Sequence, residues 1–217
     1  MEHVREHCSL LASPEKRLLI AIAGRLPRWP SPDHLSLLGL GSMAAAGLAF
    51  ASLGRPWGAP ALAAALLVNW FGDSLDGTVA RVRNRQRPRY GYYVDHVIDL
   101  AGAAARLAGM GASGLMEPAI ALAVLAAYLL VSAETYLATH TVGVFRLSFG
   151  GVGPTELRLL LAAGGFYVAA HPWVVVAGLQ VRLLDASGLI AAAGLALVFV
   201  ASAIRNTRTL YLAEPLP

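Results

Sequence analysis

Four aspartates, two glycines, an alanine and an arginine recur in the order Asp73-x2-Asp76-Gly77-x2-Ala80-Arg81-x9-Gly91-x3-Asp95-x3-Asp99, inside sequence that is otherwise strongly apolar. An ionised carboxylate in or beside hydrocarbon costs several kcal/mol unless it is paired, hydrated or bound to a cation. Four of them in one short segment therefore point to bound metal. Asp73 and Asp76 lie three apart and Asp95 and Asp99 four apart, so each pair shares one face of a helix. A short connection over 82–90 predicts antiparallel neighbouring helices whose carboxylates converge on one cavity. Bare carboxylates held that close would raise one another's pKa. Hard divalent ions, Mg²⁺ or Mn²⁺, favour oxygen ligands and remove the conflict, and two ions shared by four aspartates is the expected count. Gly77 and Ala80 leave the helix backbone open to a flat base or a phosphate, and Arg81 offers a planar fork for phosphate oxygens. Gly91, one turn before Asp95, predicts a close helix contact.

Those carboxylates must be carried by long helices. The 217-residue chain is 57% hydrophobic and only 14% charged, with a mean hydropathy of +0.59, which excludes an ordinary soluble domain. Six apolar stretches, 34–53, 58–80, 92–112, 118–139, 155–177 and 187–208, each approach the ~20 residues of a spanning helix. The expectation is an all-α bundle of six transmembrane helices, with Pro172 as a possible early end to the fifth. The runs lack the alternation of β-barrel strands. Residues 1–33 form an N-terminal cytoplasmic segment and 34–217 the membrane domain. Within the first part Leu18, Leu19, Ile22 and Leu26 recur at helical spacing beside Glu15, Lys16, Arg17, Arg25 and Arg28, the pattern of an amphipathic helix lying on the membrane surface. It has no signal-peptide core, so it is expected to be retained. A lone cysteine, Cys8, excludes a disulfide framework.

All but one of the 17 basic residues are arginine. A cytoplasmic N-terminus puts the 81–89 arginines, Arg146, Arg158, Arg205 and Arg208 inside, leaving only Arg55 and Arg182 outside. By the positive-inside rule both termini and the acidic motif are cytoplasmic. The net charge of +4 then suits anionic lipid headgroups; no nucleic-acid module is visible. Arg146, Arg158 and Arg205 are candidates for binding an acceptor phosphate, or simply topology anchors. Arg106, in the outer half of the third span, is expected to snorkel or to pair across helices. Asp33 follows Pro32 at the start of the first span, where it suits a helix N-cap.

The acidic signature closely resembles that of the CDP-alcohol phosphotransferase family of integral membrane phospholipid synthases, in which it spans the second and third of six helices. The resemblance implies a transferase that moves a substituted phosphate group from a CDP-alcohol, CDP-diacylglycerol or a CDP-linked polar alcohol, to an acceptor alcohol and releases CMP. It implies that Asp73, Asp76 and Asp95 are metal ligands, that Asp99 is a ligand and the general base, and that Asp73, Gly77, Ala80 and Arg81 hold the CDP moiety. It also implies a homodimer, and the composition suits a bacterial inner membrane. Two other classes also fit intramembrane carboxylates: a divalent-cation transporter and a catalytically silent scaffold. A transporter would place them near the bilayer midplane, whereas these cluster near one surface beside an arginine-rich loop.

Overall fold

A computed structural model describes residues 4–6, 11–146 and 153–214. Seven helices dominate: α1 (Ala12–Arg25), α2 (Pro32–Ala51), α3 (Gly58–Val82), α4 (Pro88–Ala112), α5 (Pro118–Thr141), α6 (Pro154–Ala170) and α7 (Leu183–Ala213). The short strands β1 (Val4–Glu6) and β2 (Val144–Arg146) pair in parallel, and β3 (Trp173–Val176) and β4 (Leu179–Arg182) form an antiparallel hairpin. Among the described residues three helices, α2, α5 and α7, are long and apolar enough to cross a membrane. The acids on α3 and α4 dilute their hydropathy, and α6, with 17 residues, spans only ~25 Å. Its predicted extension to 177 is corrected: the helix stops at Ala170, before Pro172, and 173–176 is strand. A proline cannot supply the amide that another turn requires.

Sequence explains the helix starts. Proline occupies the first turn of α2, α4, α5 and α6, where its missing N–H costs nothing. The cap of α2 is Ser31, not Asp33: the Ser31 hydroxyl accepts from the His34 amide at 3.2 Å while the His34 ring accepts from the Ser31 amide. Asp33 lies one residue inside the helix and accepts instead from Arg87.

Small residues set how the helices cross. At the contact of α2 with α4, a Cβ on Gly109 would lie 1.9 Å from the Gly47 carbonyl oxygen. At the contact of α2 with α3, one on Gly72 would lie 2.7 Å from both the Gly39 nitrogen and the Leu35 oxygen. Backbones approach this closely only through glycine, the device of tightly packed membrane helices. Gly91, by contrast, is exposed, and a Cβ there would meet nothing within 4 Å, so the expected close contact at that glycine is not found. The expected pairing of α3 with α4 is also corrected: both pack along α2. The glycines that permit close approach are on the α2-facing sides, so α2 forms a floor beneath two walls. Beyond it, α6 packs on α3, and α5 joins α4 to α7.

The apolar core sits at the end away from the acids, where Ala46, Ala49, Phe50, Leu53, Leu62 and Leu66 are buried together. At the acidic end α1 packs on α3, burying Leu19 and Ala23 against Leu35, Leu75 and Val79. Of the four residues expected on the membrane-facing side of this helix, Leu19 is buried against protein, Ile22 and Leu26 are partly buried with it, and Leu18 is exposed. Glu15 pins this helix: one carboxylate oxygen accepts from Trp70 Nε1 (2.7 Å), Ser74 Oγ (3.3 Å) and Thr155 Oγ1 (2.7 Å). Glu15→Ala leaves three donors unmatched and is expected to destabilise the protein by about 1–3 kcal/mol, read as a lower Tm in detergent. An unchanged Tm would show that the three bonds contribute nothing net. Arg83 secures the turn from α1 to α2, donating to the carbonyls of Leu26, Pro27, Arg28 and Pro30.

Candidate active site

The α3 acids lie on the wall above α2. Asp76 accepts from Ser36 Oγ of α2 at 2.7 Å and from the amide of Gly77. Asp73, one turn earlier, forms an ion pair with Arg158 of α6. The same guanidinium donates through Nε to Asn69 Oδ1 at 2.7 Å, and Asn69 Nδ2 reaches the Gly39 carbonyl at 3.2 Å. Asn69 is only 1% exposed, so one buried amide ties α6 to the α2 backbone at the α2–α3 crossing. A buried amide satisfied on both sides orients its partner firmly.

On the opposite wall α4 carries Asp95 and Asp99. Asp99 lies within electrostatic reach of Asp73 and Asp76 and of Arg158 and Arg106. Asp95 stands 3.6 Å from the buried His96 ring, which contacts Tyr92 (centroids 4.1 Å apart) and Tyr136 of α5 (5.0 Å). Asp99 therefore faces the α3 acids across a groove between α3 and α4, with Asp95 one turn earlier on the same helix. Among the described residues no three carboxylates or imidazoles are drawn together tightly enough to hold a metal ion. Asp73 is turned to Arg158, which offsets its charge, and Asp76 to Ser36, which donates a hydrogen bond to it. The donor set nevertheless suits a hard divalent cation: carboxylate oxygens from two helices, with a shared electrostatic field.

The remaining candidates are placed unevenly. Arg81 lies exposed at the end of α3, donates to Thr78 Oγ1 at 3.1 Å and folds over Gly77, where an added Cβ would meet its Nη1 at 3.4 Å. Ala80 is half-buried on the same helix. Arg158, 13% exposed, belongs to the groove, not to a solvated anchor. Arg205 is exposed on α7, 3.4 Å from Ser202 Oγ. The side chain of Arg146 lies outside the described residues. Arg106 is half-buried and within the field of Tyr128 of α5 and of Asp99. Ser36 and Asn69 are the groove residues that motif reasoning missed. Asn69 was detectable as an amide inside the apolar run of α3; Ser36, an unremarkable hydroxyl, gave no signal.

Beside the groove a cleft is lined by Ser31, Pro32, Asp33, Arg85, Gln86 and Arg87. Arg87 pairs with Asp33 across it and lies 4.0 Å above the Tyr90 ring. Its hydrogen bond to Asp33 pushes the guanidinium pKa up.

Residues 29–200 match the CDP-alcohol phosphatidyltransferase family. The chain belongs to that family. It is therefore an enzyme, a transferase of substituted phosphate groups, and a membrane protein of phospholipid synthesis. This membership displaces the transporter and scaffold alternatives. The chain is also similar to the crystal structure of Mycobacterium tuberculosis phosphatidylinositol phosphate synthase with CDP-DAG bound, at 23% identity and a TM-score of 0.54, covering 90% of this chain and 92% of that one. The apo form of the same synthase aligns at 22% identity and a TM-score of 0.49, over 92% and 94% of the two chains. At this identity the likeness concerns the fold. No match to a curated protein was found.

Proposed function

We propose that this member transfers the phosphatidyl group of CDP-diacylglycerol to a small polar alcohol that carries a phosphate. The observation that carries the reading is the groove itself, with carboxylates on both walls and Arg158 beside Asp73. The phosphatidylinositol phosphate synthase with CDP-DAG bound supports the choice of donor.

Asp73, Asp76, Asp95 and Asp99 would hold two divalent cations, Mg²⁺ or Mn²⁺, which when bound neutralise the diphosphate and the departing CMP. Gly77 and Ala80 admit the CDP moiety close to α3, and Arg81 grips its phosphate oxygens. Asp99 takes the proton of the acceptor hydroxyl as that oxygen bonds to the β-phosphorus. The bond from the β-phosphorus to the bridging oxygen breaks, CMP leaves with the electron pair, and a phosphodiester remains. Arg158, Arg205 and Arg146 are assigned to the acceptor phosphate, Arg158 with the strongest support because Asn69 already orients its fork. The six-span topology, α1 on the cytoplasmic leaflet, cytoplasmic termini and active site, a bacterial inner membrane, a homodimer and the division at 33/34 complete the reading.

Purified protein assayed with CDP-diacylglycerol and a panel of alcohols and alcohol phosphates, with products read by mass, tests it. CMP and a phosphatidyl product are expected in Mg²⁺ or Mn²⁺ and absent with chelator. No CMP from any pair would overturn the proposal. Arg158→Gln should raise KM for the phosphorylated acceptor about tenfold or more, the value of a lost charge-assisted contact, with a smaller change for the donor. An unchanged acceptor KM would remove Arg158 from that role.

A further inference from the structure

The hairpin β3–β4 has no part in the groove. Arg158 lies near the start of α6, and twelve residues of helix, ~18 Å, carry the chain away from the carboxylates before the hairpin begins. Its register pairs Trp173 with Arg182, Val174 with Val181, Val175 with Gln180 and Val176 with Leu179. Paired residues share a face and successive pairs alternate. One face is therefore Val174, Val176, Leu179 and Val181, wholly aliphatic; the other carries Gln180 and Arg182 with Trp173 and Val175. On the aliphatic face Val176 is 49% exposed and Leu179 69%, with Val174 and Val181 half-buried; on the other, Trp173 (53%) and Val175 (69%) are exposed beside the polar Gln180 and Arg182. The turn is tight, with Ala177 at φ 52° and Gly178 at φ 82°, the two positive angles of a two-residue hairpin turn.

Continuity of the chain says what covers that face. Strand β4 ends at Arg182 and α7, a helix apolar enough to cross a membrane, begins at Leu183. At this junction Arg182 stands 3.7 Å from Glu117 and 3.9 Å from Asp185, and the Glu117 amide donates to Asp185. These charges gather where two long apolar helices, α5 at Pro118 and α7 at Leu183, begin, and an apolar span is followed by such charges where it leaves hydrocarbon. Unpaired strand edges bar a lone hairpin from the hydrocarbon core, because their N–H and C=O groups would go unsatisfied. A ribbon with one aliphatic face and one carrying Trp173, Gln180 and Arg182, attached at the start of a spanning helix, is confined to the interface. Exposed Trp57, with Arg55 5.7 Å from its ring, lies at the same end of the bundle, as interfacial aromatics do.

We propose that the hairpin lies in the headgroup layer on the side of the membrane opposite the carboxylate groove, its Val174, Val176, Leu179 and Val181 face against lipid. It anchors the start of α7, the helix that carries Arg205 back to the other side. The hairpin takes this place whichever substrate the enzyme uses.

Nitroxide labels test it in full-length protein with Cys8→Ser, carrying Leu179→Cys or Gln180→Cys, in nanodiscs of phosphatidylethanolamine and phosphatidylglycerol. The ratio of collisions with oxygen to collisions with a water-soluble nickel chelate should be several-fold higher at Leu179 than at Gln180. Val176→Cys, on the aliphatic face, should agree with Leu179, and it replaces that variant if Leu179→Cys does not yield folded protein. Equal nickel access at all positions would place the hairpin in water and overturn the proposal. Exclusion of both reagents at Leu179 and Val176 would overturn it in favour of a covering protein surface, such as a second copy.

Discussion

Asp99→Asn is expected to cut CMP release by about 10²–10⁴-fold, the range for losing a positioned general base, with expression and folding retained. Asparagine keeps the shape and surrenders the negative charge and the proton acceptor. Asp99 shares its field with Asp73 and Asp76 but also with Arg158 and Arg106, so removing its charge relieves repulsion and forfeits attraction together, and Tm should change little. That combination separates chemistry from stability. Asp95→Asn should also lose activity, through weakened metal affinity, and excess Mn²⁺ should restore part of it, whereas Asp99→Asn should not respond to the same extent. Activity within tenfold of wild type for Asp99→Asn, measured as CMP by mass, would remove Asp99 from the role of base.

The second large effect is structural. Gly109→Ala places a methyl 1.9 Å from the Gly47 carbonyl oxygen and 2.6 Å from its carbon, so only backbone movement relieves the clash. Overpacking of this kind costs about 1–3 kcal/mol or more, and α4 must then move away from α2. Because α4 carries Asp95 and Asp99, activity should fall with Tm. Gly91→Ala is the matched control on the same helix: with nothing within 4 Å it should be neutral or slightly stabilising, since alanine favours helix over glycine. Thermal unfolding and size-exclusion profiles of both variants in the same detergent decide the matter. Similar Tm values for the two would show that α2 and α4 are not in such intimate contact.

The groove was legible in sequence to the extent that its chemistry is written in residue type. Acids in an apolar chain cannot be neutral decoration, so Asp73, Asp76, Asp95 and Asp99 announced themselves, and periodicity located their helices to within a few residues. The partners were harder. Glu15 reads as the polar face of a surface helix, yet its carboxylate joins α1 to α3 and α6 through Trp70, Ser74 and Thr155, partners up to 140 positions away. Arg158 reads equally as a topology anchor. Only its contact with Asp73 and Asn69 assigns it to the groove.

Sequence by itself determined the helical class, the carboxylate quartet and the family, because burial cost and the period of a helix act locally along the chain. Tertiary structure decided that α2 is the floor between α3 and α4, that Arg106 lies within the field of Asp99, and that α6 yields to a hairpin with one aliphatic face. Those features depend on which backbones can approach one another. Gly47 and Gly109 meet across 62 positions of chain, a contact that no local pattern encodes.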